Sequence, residues 1–159
     1  MSVIPRPPWH KFWSDAIYFK HSGEVPRAIE LLSQAVELLR REPALTDELG
    51  VKLNSLAHML LTVGRLTDAE AAARESMEIE IRQHESVSDS NLMTLARILH
   101  QQGRCDEAVR LGKQALVMRR KNVGWWSDYY RQSKKVVASF KTSPVQKPVQ
   151  AETVSSGAA

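Results

Sequence analysis

Hydrophobic residues recur along most of the chain with the three-and-four spacing of amphipathic helices. Leu53, Leu56 and Leu60 show the pattern, and polar residues fill most of the positions between them. A buried helical stripe needs this spacing because an α-helix has about 3.6 residues per turn. The stripes come in pairs with a glycine between the two members, so the pattern predicts an all-α fold of helix hairpins.

The glycines inside the pairs, Gly23, Gly64 and Gly103, lie 41 and 39 residues apart. Four further sets of residues recur at the same two intervals, and each set of equivalent positions is called a column. The columns are Phe12, Leu53 and Leu92; Ala16, Ala57 and Ala96; Phe19, Leu60 and Leu99; Ala28, Ala69 and Ala108. A repeat of this length predicts a helical solenoid. Its glycines end the first helix of each unit in the left-handed conformation, and its alanines let the two helices approach closely.

Polar residues after the glycines predict where each second helix begins. Thr67 and Glu70 have the spacing of a capping box, and Asp106 is the predicted cap in the next unit. Cys105 shares its column with the apolar residues Val25 and Leu66, so we expect a buried thiol rather than a reactive one.

The sequence around the last two glycines resembles tetratricopeptide repeats. The resemblance rests on LNSLAHMLLTVGRLTDAEAAARESMEI and LMTLARILHQQGRCDEAVRLGKQALVMRRKNVG, and the long period resembles the kinesin-light-chain type of this repeat. It implies a right-handed α-α superhelix of three helix-turn-helix repeats within 9–124, at about 9–42, 46–84 and 87–122. The first unit diverges, because Asp15 stands where Leu56 and Leu95 stand.

The two ends of the chain differ from the repeats. We expect 1–8 to form an extended proline-rich arm and 142–159 a disordered tail, because neither contains enough apolar residues to form a core. Residues 125–141 are predicted to form a helix that caps the array. The apolar stripe predicted for this helix consists of Trp126, Tyr129, Tyr130, Val137 and Phe140.

Composition argues against catalysis and against a cofactor. Cys105 is the single cysteine, which excludes an intramolecular disulfide framework, and no two histidines stand four residues apart as metal ligands on a helix do. No phosphate-binding loop or nucleophile motif occurs, so we predict a protein with no catalytic residue, no metal and no cofactor. No stretch has the roughly 20 apolar residues of a membrane span, and the first residues lack a secretory signal. We therefore expect a cytoplasmic protein, with the nucleus left open.

The resemblance also implies a concave groove, lined by the first helix of each repeat, that binds a segment of a partner protein. The residues placed there form four rows. Three rows hold the predicted partner-binding residues: Trp13, Asn54 and Met93; Ile17, His58 and Arg97; Lys20, Leu61 and His100. The fourth row is His21, Thr62 and Gln101. This mixed surface predicts a non-catalytic interaction module, such as an adaptor, scaffold or co-chaperone, whose partner peptide has apolar and acidic side chains. The alternative is that these are solvated positions without a partner.

The terminal-carboxylate clamp of chaperone-binding members of the family is absent. The matching places hold Trp13, Ile17, Ser55, Ser90 and Thr94. Asn54 matches the asparagine that light-chain-type members carry before their Leu-Ala pair, whereas Met93 does not.

The net charge of +4 hides two regions of opposite sign. Residues 65–89 carry seven acids against three arginines, a net charge of −4, and residues 109–141 carry nine basic residues against one acid, a net charge of +8. The predicted basic patch consists of Arg119, Arg120, Lys121, Arg131, Lys134 and Lys135.

Other partners remain open. The basic patch, with Trp125 and Trp126 beside it, suits an accessory subunit of a nucleic-acid-associated or larger complex. Nucleic acid itself is the less favoured partner, because no RNA-binding signature accompanies these residues. Self-association through Trp9, Phe12 and Trp13 is a third alternative.

Overall fold

The computed structural model describes residues 7–142, which form seven α-helices and contain no strand. The helices are α1 (Pro8–His21), α2 (Val25–Arg40), α3 (Thr46–Thr62), α4 (Leu66–His84), α5 (Asp89–Gln101), α6 (Cys105–Val123) and α7 (Asp128–Ser139). A 3₁₀ turn, Pro43–Leu45, precedes α3. The predicted all-α fold is confirmed over this range.

Each helix packs against the next one along the chain, most extensively within the pairs α1–α2, α3–α4 and α5–α6. The first helices of the last two pairs, α3 and α5, also contact each other. Helix hairpins stacked in this way form the predicted solenoid, because each pair covers the apolar face of its neighbour.

The predicted terminal segments lie largely outside the described residues. Of the predicted arm, only Pro7 and Pro8 are described, and Pro8 is already the first residue of α1. Proline suits that position because the first helical N–H has no partner within the helix. Of the predicted tail, only Thr142 is described.

The same glycine turn ends α1, α3 and α5. Gly23, Gly64 and Gly103 have φ values of 87°, 77° and 81°, in the left-handed region that costs glycine nothing. In each turn the N–H of the residue after the glycine donates to a carbonyl five residues earlier; Arg65, for example, donates to Leu60 at 3.0 Å. The predicted C-terminal glycines are therefore confirmed.

The alanine columns lie in the buried core of the helix pairs. All six alanines are completely buried, as are several large side chains around them. The alanines are Ala16, Ala57, Ala96, Ala28, Ala69 and Ala108. Any larger side chain at these positions would push the helices apart, so the predicted packing role is confirmed.

The predicted caps of the second helices are wrong. α4 and α6 each begin one residue after an arginine, Arg65 or Arg104, and no side chain caps either helix by a hydrogen bond. Each arginine instead binds a carboxylate in the first helical turn: Arg65 Nε lies 2.8 Å from Asp68, and Arg104 Nε lies 2.7 Å from Glu107. The hydrogen bond from Arg104 lowers the pKa of Glu107.

A buried polar bridge connects α3, α4 and α5. The hydroxyl of Ser76 donates to the carbonyl of Gly50 at 2.7 Å and contacts Oδ1 of Asn91 at 3.3 Å. The Asn91 amide in turn donates to Glu80 at 2.7 Å, and the Ser88 N–H donates to the same carboxylate oxygen at 2.8 Å. Because unpaired polar groups are costly inside a protein, this bridge stabilises one arrangement of the second and third units.

α7 is shorter than the predicted capping helix, because the side chain of Ser127 accepts the N–H of Tyr130 and starts the helix there. Its buried apolar contacts come from Val137 together with Phe140 just after the helix, as expected. The predicted stripe is wrong at two residues: Trp126 is 67% exposed because it precedes the helix, and Tyr129, in its first turn, is 50% exposed.

Candidate functional site

The predicted groove residues come from α1, α3 and α5 and differ in exposure. Lys20 and Arg97 are exposed, Met93 is buried, and the other six are half-buried. These nine residues together are called the groove surface: Trp13, Ile17, Lys20, Asn54, His58, Leu61, Met93, Arg97 and His100.

Three basic side chains from three helices lie near one another on the groove surface. Nη1 of Arg97 lies 3.2 Å from Nε2 of His58. Burial lowers the pKa of His58 below its ordinary value, and the positive charges of Arg97 and Lys20 lower it further. At neutral pH the imidazole is therefore uncharged, and its Nε2 accepts a hydrogen bond from the Arg97 guanidinium.

The charges of this basic cluster are not neutralised by the described part of the chain. Among residues 7–142, no carboxylate lies within ion-pair distance of Lys20 or Arg97. Some arginines elsewhere are paired between helices, as Arg40 is with Glu75 at 2.6 Å. The middle of the groove surface thus attracts an anionic group.

The pKa of His58 is expected to rise when Arg97 is replaced by glutamine, because one charge that opposes protonation is removed. The pKa stays below its ordinary value, since burial, the largest cause, remains. NMR titration of the imidazole protons measures the change, and Lys20→Gln should give a smaller rise. A titration curve that Arg97→Gln leaves unchanged would contradict the contact.

The lowered pKa of His58 also connects stability to pH. The folded protein takes up a proton at His58 less readily than the unfolded chain, so protonation favours unfolding. The free energy of unfolding should therefore decrease as pH falls below about 6.5, the ordinary pKa of histidine, until the pH passes the folded-state pKa.

At the Trp13 end of the groove surface, a lysine that sequence reasoning missed is buried against two indole rings. Nζ of Lys52 lies 4.2 Å from the centroid of Trp13, 5.5 Å from that of Trp9 and 3.2 Å from Glu48. Lys52 is only 7% exposed. Trp13 thus already has a partner within the chain, and Trp9 and Trp13 are half-buried against the core. Self-association through these residues stays a prediction.

Asn54 and Trp9 each have a buried polar atom without a hydrogen-bond partner among residues 7–142. The atoms are Oδ1 of Asn54 and Nε1 of Trp9. Asn54 belongs to the groove surface, but its Oδ1 is buried, so a bound segment could hydrogen-bond to this atom only after the side chain changed its conformation.

His100 is bound to the C-terminal part of the chain. Its Nε2 lies 2.8 Å from the carbonyl oxygen of Thr142, and its ring lies 5.0 Å from the ring of Phe140. Sγ of Cys105 lies 3.7 Å from the same carbonyl oxygen. Cys105 is therefore half-buried at this junction, and the predicted buried thiol is wrong.

A cleft of about 280 Å³ lies between α5 and α7 and extends the groove surface. His58, Met93 and Arg97 form one side of the cleft. The α7 residues opposite them, which sequence reasoning assigned to a cap or left out, are Tyr129, Gln132, Ser133 and Val136. α7 therefore contributes to the candidate site in the way that α3 and α5 do.

The structure divides the predicted basic patch. Arg119 is 5% exposed and bound to Asp89, so it does not belong to an exposed patch. Arg131 is paired with Asp128 on the surface. The members that are exposed and without an ion pair among residues 7–142 are Arg120, Lys121, Lys134 and Lys135.

A larger cleft, of about 610 Å³, lies away from the groove surface, between α1, α2 and the start of α4. Phe12, Ile29 and Leu38 provide its apolar walls, and Glu30 and Arg65 are among the polar residues that line it. No sequence pattern indicated this cleft. Its titratable side chains are two glutamates and one arginine, so it lacks the uniformly basic character of the cluster at His58.

Neither a cluster of metal ligands nor a membrane-spanning helix occurs in the described residues. Between residues 7 and 142, no group of three or more His, Cys, Asp or Glu side chains is arranged to hold a metal ion. In that same range, the helices are all too short or too polar to cross a membrane.

Residues 47–121 match the family model of the tetratricopeptide repeat. The match covers α3 to α6, including the glycine turns at Gly64 and Gly103, and leaves out the divergent first unit. No curated protein matches the chain. The kinesin-light-chain type of the repeat stays a prediction.

Proposed function

Because residues 47–121 match the tetratricopeptide repeat, we propose that the chain is a non-catalytic module that binds an acidic segment of a partner protein on the groove surface. Repeats of this family generally mediate protein–protein interaction. The proposal adds the place and the chemistry: an adaptor, scaffold or co-chaperone that uses the first helices and no cofactor.

The basic cluster is the observation that supports the proposal. Lys20, His58 and Arg97 come from three successive units, and the two permanent charges have no carboxylate beside them in residues 7–142. A bound acidic side chain would supply the missing counter-charge while the bound segment crosses all three helices. It would also favour protonation of His58, so affinity should increase as pH falls from about 7.5 to 6.

The groove is tested by the double variant Arg97→Glu with His58→Ala, in the full chain. We expect loss of partner capture from native lysate, because the variant repels an acidic segment, with unchanged helical content by circular dichroism. The matched control is Arg110→Glu, which makes the same charge reversal at an exposed position of α6 outside the groove surface. Undiminished capture by the double variant would refute the proposal.

A second candidate function, an accessory role in a nucleic-acid-associated complex, is supported by the exposed residues at the end of α6. Arg120 and Lys121 lie beside Trp125 and Trp126, which are 66% and 67% exposed. The buried Arg119 weakens this candidate, since it removes one of the six predicted phosphate contacts.

A further inference from the structure

The connection between α6 and α7 exposes two adjacent tryptophan rings. This tryptophan loop comprises residues 123–127. Trp125 is 66% exposed and Trp126 is 67% exposed, and Val123 before them is 40% exposed. Tryptophan, tyrosine and arginine are enriched among the residues that contribute most of the binding energy at protein interfaces.

The loop holds its rings in a defined position. Gly124 has a φ of 79°, and a Cβ added there would lie 2.7 Å from ring atoms of Trp126, so that ring packs directly on the glycine backbone. The N–H of Gly124 donates to the carbonyl of Arg120 at 3.1 Å. At the other end, the side chain of Ser127 accepts the N–H of Tyr130 and anchors the loop to α7. A loop fixed at both ends loses little entropy on binding.

The surroundings of the loop are positively charged. Arg120 and Lys121, in the last turn of α6, are exposed, as are Lys134 and Lys135 on α7. Within residues 7–142, none of these four forms an ion pair, and the nearby Asp128 is bound to Arg131. The surface is therefore complementary to an acidic ligand.

The ring geometry separates a protein ligand from a nucleic acid. The indole planes of Trp125 and Trp126 lie at 84° with centroids 6.1 Å apart. Successive bases of a single strand need roughly parallel faces to stack on, which perpendicular rings do not offer. A corner between two indoles instead accepts the branched or ring-shaped side chain of leucine, isoleucine or proline.

We propose that the tryptophan loop is a second docking surface, which binds an acidic segment of a partner protein by seating an apolar side chain in the corner formed by the rings of Trp125 and Trp126. The acidic side chains of that segment pair with Arg120 and Lys121. The surface lies on the α6–α7 connection and operates independently of the groove surface, so one protein connects two partner segments.

The ligand is identified by site-specific crosslinking. A photoreactive benzoylphenylalanine replaces the exposed Asn122 in the full chain, so both tryptophans are kept, and the crosslinked species from native lysate are mapped by mass spectrometry. We expect crosslinks to a protein segment that combines Asp or Glu with Leu, Ile or Pro. Crosslinks that are confined to RNA, to lipid or to a second copy of this chain, or that are absent, would overturn the proposal.

The mapped segment is then synthesised, and its affinity is measured by the blue shift of tryptophan fluorescence. Trp126→Ala and the double variant Arg120→Glu with Lys121→Glu should each weaken binding more than about tenfold. Val117→Ala, which shortens another exposed apolar side chain of α6, is the matched control and should bind normally. Equal affinity of Trp126→Ala and the control would overturn the proposal.

The groove variant Arg97→Glu with His58→Ala distinguishes the two surfaces. It should bind the mapped segment within about twofold of the unaltered protein, because the loop lies outside the groove surface. Binding that is lost in this variant and kept in Trp126→Ala would assign the segment to the groove and overturn the second surface. Failure of the groove proposal leaves the expected loop result unchanged.

Discussion

Replacement of Arg119 by methionine is expected to lower the free energy of unfolding by about 3 kcal/mol. Nε of Arg119 donates to Asp89 at 2.5 Å, Nη1 donates to Ser133 at 2.5 Å, and the guanidinium lies 4.3 Å above the ring of Tyr129. The side chain thus connects α5, α6 and α7. Methionine fills a similar volume but leaves the mostly buried Asp89 carboxylate without its positive partner.

Urea unfolding of the full chain, followed by circular dichroism, measures this loss. Arg120→Met is the matched control, since Arg120 is exposed and has no ion pair within residues 7–142; its effect should stay within about 0.5 kcal/mol. Adding Asp89→Asn to Arg119→Met should restore part of the stability, because the unpaired charge is then removed. Equal midpoints for Arg119→Met and Arg120→Met would show that the interhelical contact contributes nothing.

Replacement of Gly112 by leucine should detach α7 from α6 and cost about 3 kcal/mol of stability. A Cβ at Gly112 would already lie 2.8 Å from Cγ2 of Val137 and 3.2 Å from the ring of Phe140. Both neighbours are buried, and the branched Val137 has little rotamer freedom. α7 packs on no helix other than α6 through its backbone in residues 7–142, so the extra side chain displaces α7 rather than the repeats.

Hydrogen exchange locates this effect. The amides of α7 should exchange faster in Gly112→Leu, whereas those of α3 and α4 should keep their protection. Lys113→Leu, which adds the same side chain at the exposed neighbouring position, should leave α7 protected. Val137→Ala combined with Gly112→Ala tests the steric cause, because shortening Val137 provides room for the Cβ added at residue 112. Unchanged protection of α7 in Gly112→Leu would show that α7 is not held on α6 by its close packing against Gly112.

The repeat was predictable from the sequence because each of its strongest constraints acts at a single position, and that position recurs in every unit. Gly64 adopts a positive φ, which only glycine takes without cost, and Ala57 and Ala69 lie where two helices touch. These requirements recur in each unit, so their spacing is visible in the sequence before any contact is known.

Burial of polar side chains was not predictable in the same way. Lys52 and Asn91 occupy the same repeat position, and both are buried, one between indole rings and one in a hydrogen-bond bridge. Lys11 occupies this position in the first unit and is exposed. The partners that stabilise the two buried side chains come from other helices, so residue type alone indicates nothing about them.

The groove surface and its cleft likewise contain some residues that the sequence predicted and others that it did not. The helical period placed His58 and Arg97 on equivalent positions of successive first helices, and the structure shows that their side chains lie 3.2 Å apart. The α7 wall of the cleft was missed, because no fourth glycine and alanine pair marks it as part of the array. The position of α7 depends on its close packing against Gly112 and on the ion pair of Arg119.

The sequence by itself determined the all-α solenoid and its turns, and it assigned the groove positions as a prediction. These follow from backbone conformation and helical period, which act over a few residues. Only the tertiary structure decided that Arg119 is buried while Arg120 is exposed, and that Trp125 and Trp126 lie outside the core. The side chains of adjacent residues on a helix point about 100° apart, so the placement of α7 determines which of two neighbouring arginines is buried.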